Sequence, residues 1–149
     1  MTKFTKYGFP SGANEDVFSA KQVPEHLKHV LEDRKTYHFG SFGVCPFRVK
    51  HDVPTFGYLI HHPECGTILF ATDCAFIPYR FPNVKHLIIE ANYSDEILEQ
   101  RILSGEENAA RRKRLLETHM EIGITIKGIK KCEPQGIKTI TLIHLSSQN

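Results

Sequence analysis

The chain has 149 residues, enough for one domain, and its 40% hydrophobic and 24% charged residues are globular values, not disordered ones. A formal charge of +2 argues neither for nor against nucleic acid. No apolar run reaches the roughly 18 residues a membrane helix needs, so no membrane is expected as a partner. Nine histidines are the one compositional hint of metal or acid-base chemistry. Cys45, Cys65, Cys74 and Cys132 form no CxxC pair and read as free thiols. The first residues, "MTKFTKYGFPSG", lack the apolar core of a signal peptide, and the expected location is the cytoplasm.

Taken in chain order, residues 23–35 place Val23, Leu27, Val30 and Leu31 at helical spacing, with Pro24 in the first turn. Residues 36–52 read as two short strands around Gly40 and Gly43. "TFGYLIHH" (55–62) and "TILFATD" (67–73) are strand-like, and "PECG" between them makes the pair a hairpin. "VKHLIIEAN" (84–92) is apolar enough to be a strand covered on both faces. Three helical stretches follow at 94–103, 105–120 and 122–131, the first opening on Ser94 as an N-cap. "KTITLIHLS" (138–146) is a last strand. Strands, then helices, then a strand give an α/β class, a mixed sheet with packed helices in one domain over residues 1–149.

Three residues share one setting. His51 follows a strand, Asp73 ends one, and His144 lies near the end of the last. Ligands gather where strands of such sheets end, and two imidazoles with a carboxylate are ligand types for zinc. Spacing alone leaves this open against ordinary strand-end residues. "HHPEC" (61–65) offers two imidazoles and a thiol but no local fourth ligand, so a polar hairpin tip is preferred. "ARRKR" (110–114) reads as a solvated face balanced by Glu106, Glu107 and Glu117 rather than a phosphate patch, with no interleaved aromatic to stack on bases. His119 falls between two helices, and Glu90 at a strand end either orients a histidine or caps a turn. No GxxxxGK[ST], GxGxxG or GxSxG is present, which disfavours P-loop and serine-hydrolase chemistry.

In order, "FGVCPFRVKHDVPTFGYLI", "ILFATDC", "HLIIEANYSDEIL", "THMEIGITIKGIKK" and "LIHLSSQN" resemble the metallo-β-lactamase superfamily, on its phosphodiesterase and tRNase Z-like branch. The resemblance implies a partial αββα-type fold and a two-metal site for zinc or manganese. Within it His51, Asp73 and His144 are metal ligands and His119 is a catalytic donor to the transition state or leaving group. It implies a phosphodiester or nucleotide-type substrate. The family's HxHxDH motif is absent from these residues, so the chain looks like the second half of that fold. Each of two metals would then keep one His and the shared Asp73, too few ligands for a tightly held catalytic zinc. Two readings follow. One is a phosphodiesterase-type metallohydrolase whose missing half comes from a second polypeptide. The other is an inactive, truncated domain serving as an interaction module or homo-oligomer, or surviving as a gene remnant. A nucleic-acid-binding module built on "ARRKR" ranks last.

Overall fold

A computed structural model describes residues 30–52 and 54–146. Among them, six strands form one sheet in the order β1 (Tyr37–Phe39), β2 (Phe42–Val49), β3 (Thr55–His62), β4 (Gly66–Ala71), β5 (Val84–Glu90) and β6 (Thr139–Ile143). Strands β1 to β4 pair antiparallel; β4, β5 and β6 pair parallel. Between β5 and β6 the chain forms α1 (Asp95–Leu103), α2 (Ala109–Thr118) and α3 (Ile122–Lys131). This is the mixed α/β sheet with packed helices that the sequence predicts.

The β3–β4 hairpin pairs His62 with Gly66, and Gly66 turns the tip at φ +82°. A 12-residue connection (72–83) and then the three helices supply the two crossovers that parallel pairing requires. Because β3 opposes both neighbours, β2 runs in the same sense as β4, β5 and β6. The carboxyl ends of all four strands therefore lie along one edge of the sheet.

One face of the sheet carries the core. Phe47, Leu69, Ala71, Leu87 and Ile89 are buried there with Cys74, Ile77 and Phe81 from the 72–83 connection and Met120 and Cys132 from beside α3. Gly57 makes room for Phe47: a Cβ at 57 would sit 2.4 Å from the Phe47 ring. The other face is apolar but half-open, with Tyr58, Phe70 and Ile88 side by side across β3, β4 and β5. The two faces of β5 are covered unequally: Val84, Leu87, Ile89 and the terminal Glu90 are buried while Lys85, His86 and Ile88 are only partly so.

Two local expectations change. The helix over 23–35 lies largely outside the described residues, and its described end, 30–35, is not helical. There the Arg34 N–H donates to the Pro46 carbonyl at 2.7 Å, and Asp33 Oδ1 accepts from the Arg48 N–H at 2.8 Å. Bonds to β2 replace the intrahelical ones. Ser94 precedes α1 but its hydroxyl makes no cap bond; the side chains that cap are Asn108 on α2 and Glu121 on α3.

Candidate metal centre

The edge shared by the strand ends carries the chemistry. Asp73 stands two residues beyond β4, Glu90 ends β5, and His144 directly follows β6. The sequence between α2 and α3 delivers His119 to the same place, because it runs as a short strand-like segment beside the end of β5. The Asn92 N–H donates to the Met120 carbonyl at 2.9 Å and the Ile122 N–H to the Tyr93 carbonyl at 2.9 Å. Thr125 on α3 completes the anchoring, its hydroxyl donating to the Glu90 carbonyl at 2.7 Å.

A ligand atom from each of Asp73, His119 and His144 lies within 4.8 Å of the other two. Behind them is the Glu90 carboxylate, fully buried. Its Oε1 meets His119 Nδ1 at 2.7 Å and His144 Nδ1 at 3.0 Å; its Oε2 accepts the Cys74 N–H at 3.0 Å. His144 Nδ1 also lies 3.3 Å from Thr72 Oγ1 and 3.4 Å from Asp73 Oδ1. Asn92 holds the turn after β6, donating from Nδ2 to the His144 carbonyl at 2.8 Å and accepting at its own carbonyl from the Ser146 N–H at 3.0 Å. Asp73 and His144 both have left-handed backbones, φ +53° and +57°. Such conformations cost about 1–3 kcal/mol each and persist where surrounding structure imposes them.

His51 is nearby but outside that trio. It follows β2, whose end is tied to the Asp73 loop by the Ala75 N–H donating to the Lys50 carbonyl at 2.8 Å. Its ring meets the His119 ring edge-on at 6.4 Å between centroids, and its Nδ1 lies 2.6 Å from Asp52 Oδ1. His51, His119 and His144 therefore share one feature: Nδ1 is turned to a carboxylate. In metal sites such a partner fixes ring orientation and leaves Nε2 for the ion.

Burial pushes the Glu90 carboxyl up to about 7, against the pull of the Cys74 N–H and His144. Burial also holds His119 below the usual imidazole range, and Arg114 depresses it further while Asp73 opposes. The Cys74 thiol is pushed up to about 12 by burial and by Glu90 and Asp73, which makes it inert at neutral pH.

Two imidazoles and a carboxylate, backed by a buried carboxylate, suit a borderline divalent ion such as zinc. Of the four site residues named from sequence, the structure brings Asp73, His119 and His144 together and sets His51 beside His119. Glu90, which the sequence left open, orients the two histidines. Thr72, Asn92 and Thr125 carry no sequence signal; only the pairing of β5 with β6 and the docking of α3 reveal them.

No family model matches the chain. Among curated proteins it is 29% identical to the exodeoxyribonuclease WalJ of Streptococcus pneumoniae over 66% of this chain, spanning 44% of that protein. Among solved structures it superposes on the metallo-β-lactamase fold protein YhfI of Bacillus subtilis with a TM-score of 0.60 and 19% identity, covering 94% of this chain and 53% of that one. It also superposes on the short form of human tRNase Z with a TM-score of 0.52 and 21% identity, covering 74% of this chain and 39% of that one. The chain thus spans about half the length of the proteins it matches. These likenesses give the chain the metallo-β-lactamase fold.

Proposed function

We propose that this chain carries part of the active site of a metal-dependent hydrolase of the phosphodiesterase or nuclease type, acting on a phosphodiester or nucleotide-type substrate. The observation that carries the reading is the single buried oxygen, Glu90 Oε1, shared by His119 and His144 beside Asp73. Asp73 and His144 are assigned as ligands of zinc or manganese, with His51 as a further ligand. Further ligands of the HxHxDH type are not among these 149 residues. When bound, the metal would polarise the phosphoryl group and ease ionisation of the attacking water.

The protein's own residues divide the remaining work. His144 donates Nδ1–H to Glu90 Oε1, which leaves Nε2 as its ligand atom. His119 serves as proton donor to the leaving oxygen. The Glu90 carboxyl, which burial raises to about 7 so that a substantial share is protonated at neutral pH, hands its proton to His119 Nδ1 while Nε2–H passes to the leaving group. The low proton affinity of His119 keeps its ring neutral before that step. Zinc titration of the purified chain, which reads weak as well as tight binding, tests the assignment. Asp73→Ala and His144→Ala should lose zinc, while His119→Ala should keep it and lose hydrolysis of a generic phosphodiester once the site is completed. Equal zinc content in wild type, Asp73→Ala and His144→Ala would sink the reading.

One observation favours a second reading. Among the described residues, strand β6 is a sheet edge, with Ile140 and Leu142 47% and 42% exposed. Such an apolar edge suits an assembly module that pairs with a second polypeptide or another copy of itself. A chain that dimerises, binds no zinc and hydrolyses nothing would support this reading over the first.

A further inference from the structure

Helix α2 carries four consecutive cations, and the fold separates their roles. Arg112 turns to Glu99 at 3.5 Å, and Arg111 is braced by Glu107 at 2.7 Å. Arg114 makes no ion pair among the described residues. Arg111 and Arg114, one turn apart, line a cleft of about 530 Å3 that also includes His119, His144 and Leu145. The cleft therefore continues directly from the candidate metal centre. Its size is that of a small-ligand site. Leu145, 63% exposed, and Leu115 add apolar surface to a wall otherwise made of cations and polar groups.

A guanidinium lining such a cleft is suited to phosphate, which it meets with two parallel N–H donors. Among the described residues, a phosphate bound there displaces no ion pair of Arg114. It would lie next to the group being hydrolysed, as successive phosphates do along a nucleic-acid strand. The exposed leucine offers contact to the sugar or base between them. We propose that Arg114, assisted by Arg111, binds the phosphate neighbouring the scissile one, so that the substrate is a nucleic-acid strand and not a mononucleotide or cyclic mononucleotide. This rests on the phosphodiesterase reading of the same site. It also revises the sequence-based preference for a wholly solvated face at "ARRKR": Arg112 and Lys113 are not among the cleft residues, while Arg111 and Arg114 are.

The test is fluorescence anisotropy of the full chain with a labelled short single-stranded oligonucleotide, at about 50 and about 200 mM salt, with deoxy and ribo strands in parallel. A 5′-mononucleotide serves as competitor. Arg114→Ala should weaken strand binding about tenfold and lower the salt slope by about one, while mononucleotide binding holds. Arg114→Lys should recover part of the loss, and Lys113→Ala should change nothing. Equal losses in Arg114→Ala and Lys113→Ala, equal affinity of wild type for strand and mononucleotide, or no strand binding would overturn the proposal. Zinc content separates the two levels. Zinc bound by every variant with Arg114→Ala binding like wild type defeats the phosphate subsite alone; no zinc in any variant defeats the metal reading beneath it.

Discussion

The sheet holds histidines at two opposite ends, and they differ in what takes their ring nitrogens. At the β3–β4 hairpin tip, His62 Nε2 lies 2.9 Å from Ser41 Oγ and its Nδ1 accepts the Glu64 N–H at 3.3 Å; His61 Nδ1 lies 3.3 Å from Thr67 Oγ1. Neutral partners occupy both nitrogens of His62, and the nearby Cys65 thiol is only 3.8 Å from one of them. At the carboxyl ends of β2, β4, β5 and β6, each imidazole turns Nδ1 to a carboxylate. Histidine density is similar at the two ends. The carboxylate behind the ring is what distinguishes a candidate ligand from a surface histidine.

Four measurements can break this contrast. The largest effect is expected from Asp73→Ala or His144→Ala, which should weaken zinc binding by more than about 100-fold, beyond the loss of a mere orienting partner. His61→Ala and His62→Ala should leave it unchanged. Calorimetric titration with zinc decides, and a zinc site abolished by the hairpin variants would invert the comparison. Next, Glu90→Gln keeps the shape but replaces the carboxyl that orients both rings, and should cost about 10–100-fold in zinc affinity.

The third effect concerns pH and the metal-free protein. The folded-state pKa of Glu90, about 7, lies above its ordinary value of 4.5, so the folded state holds the extra proton. Stability from that proton is full below pH about 4.5 and is lost as pH rises through about 7. His119, held low by burial, works in the opposite sense, losing stability as pH falls through the usual imidazole range. Glu90→Gln isolates the first component. The unfolding free energy of wild type minus that of the variant should fall between pH about 4.5 and about 7 and level off above. A flat difference would show that Glu90 is ionised throughout. Smallest of all, Ser41→Ala at the hairpin tip should change stability by under about 0.5 kcal/mol and zinc affinity not at all.

Much of the fold is legible in the sequence where a periodic pattern meets clear punctuation. Residues 55–62 and 122–131 match β3 and α3 to the residue, because Pro54 and the "PECG" tip bound one and Glu121 caps the other. Position at strand ends makes Asp73 and His144 candidates but leaves them open against ordinary strand-end residues; the resemblance is what names them as ligands. The rest depends on contacts between distant segments. A glutamate ending a strand stays open between orienting a histidine and capping a turn until β5 is seen between β4 and β6 with His119 and His144 at its end. "ARRKR" reads as one charged face until the packing of α2 divides it. Val84 to Glu90 reads as doubly covered because apolar residues occur on both faces of the strand, while coverage depends on what packs over each face.

The left-handed backbones of Asp73 and His144 have a consequence for sequence drift. Glycine would adopt φ +53° and +57° without a Cβ penalty, so at these two positions the residues that suit the chemistry are not those that suit the chain. Asp73→Gly and His144→Gly should fold at least as readily as the matching alanine variants. A lineage released from the need to hold a metal would therefore have an easy path toward glycine at 73 and 144, and this chain carries aspartate and histidine.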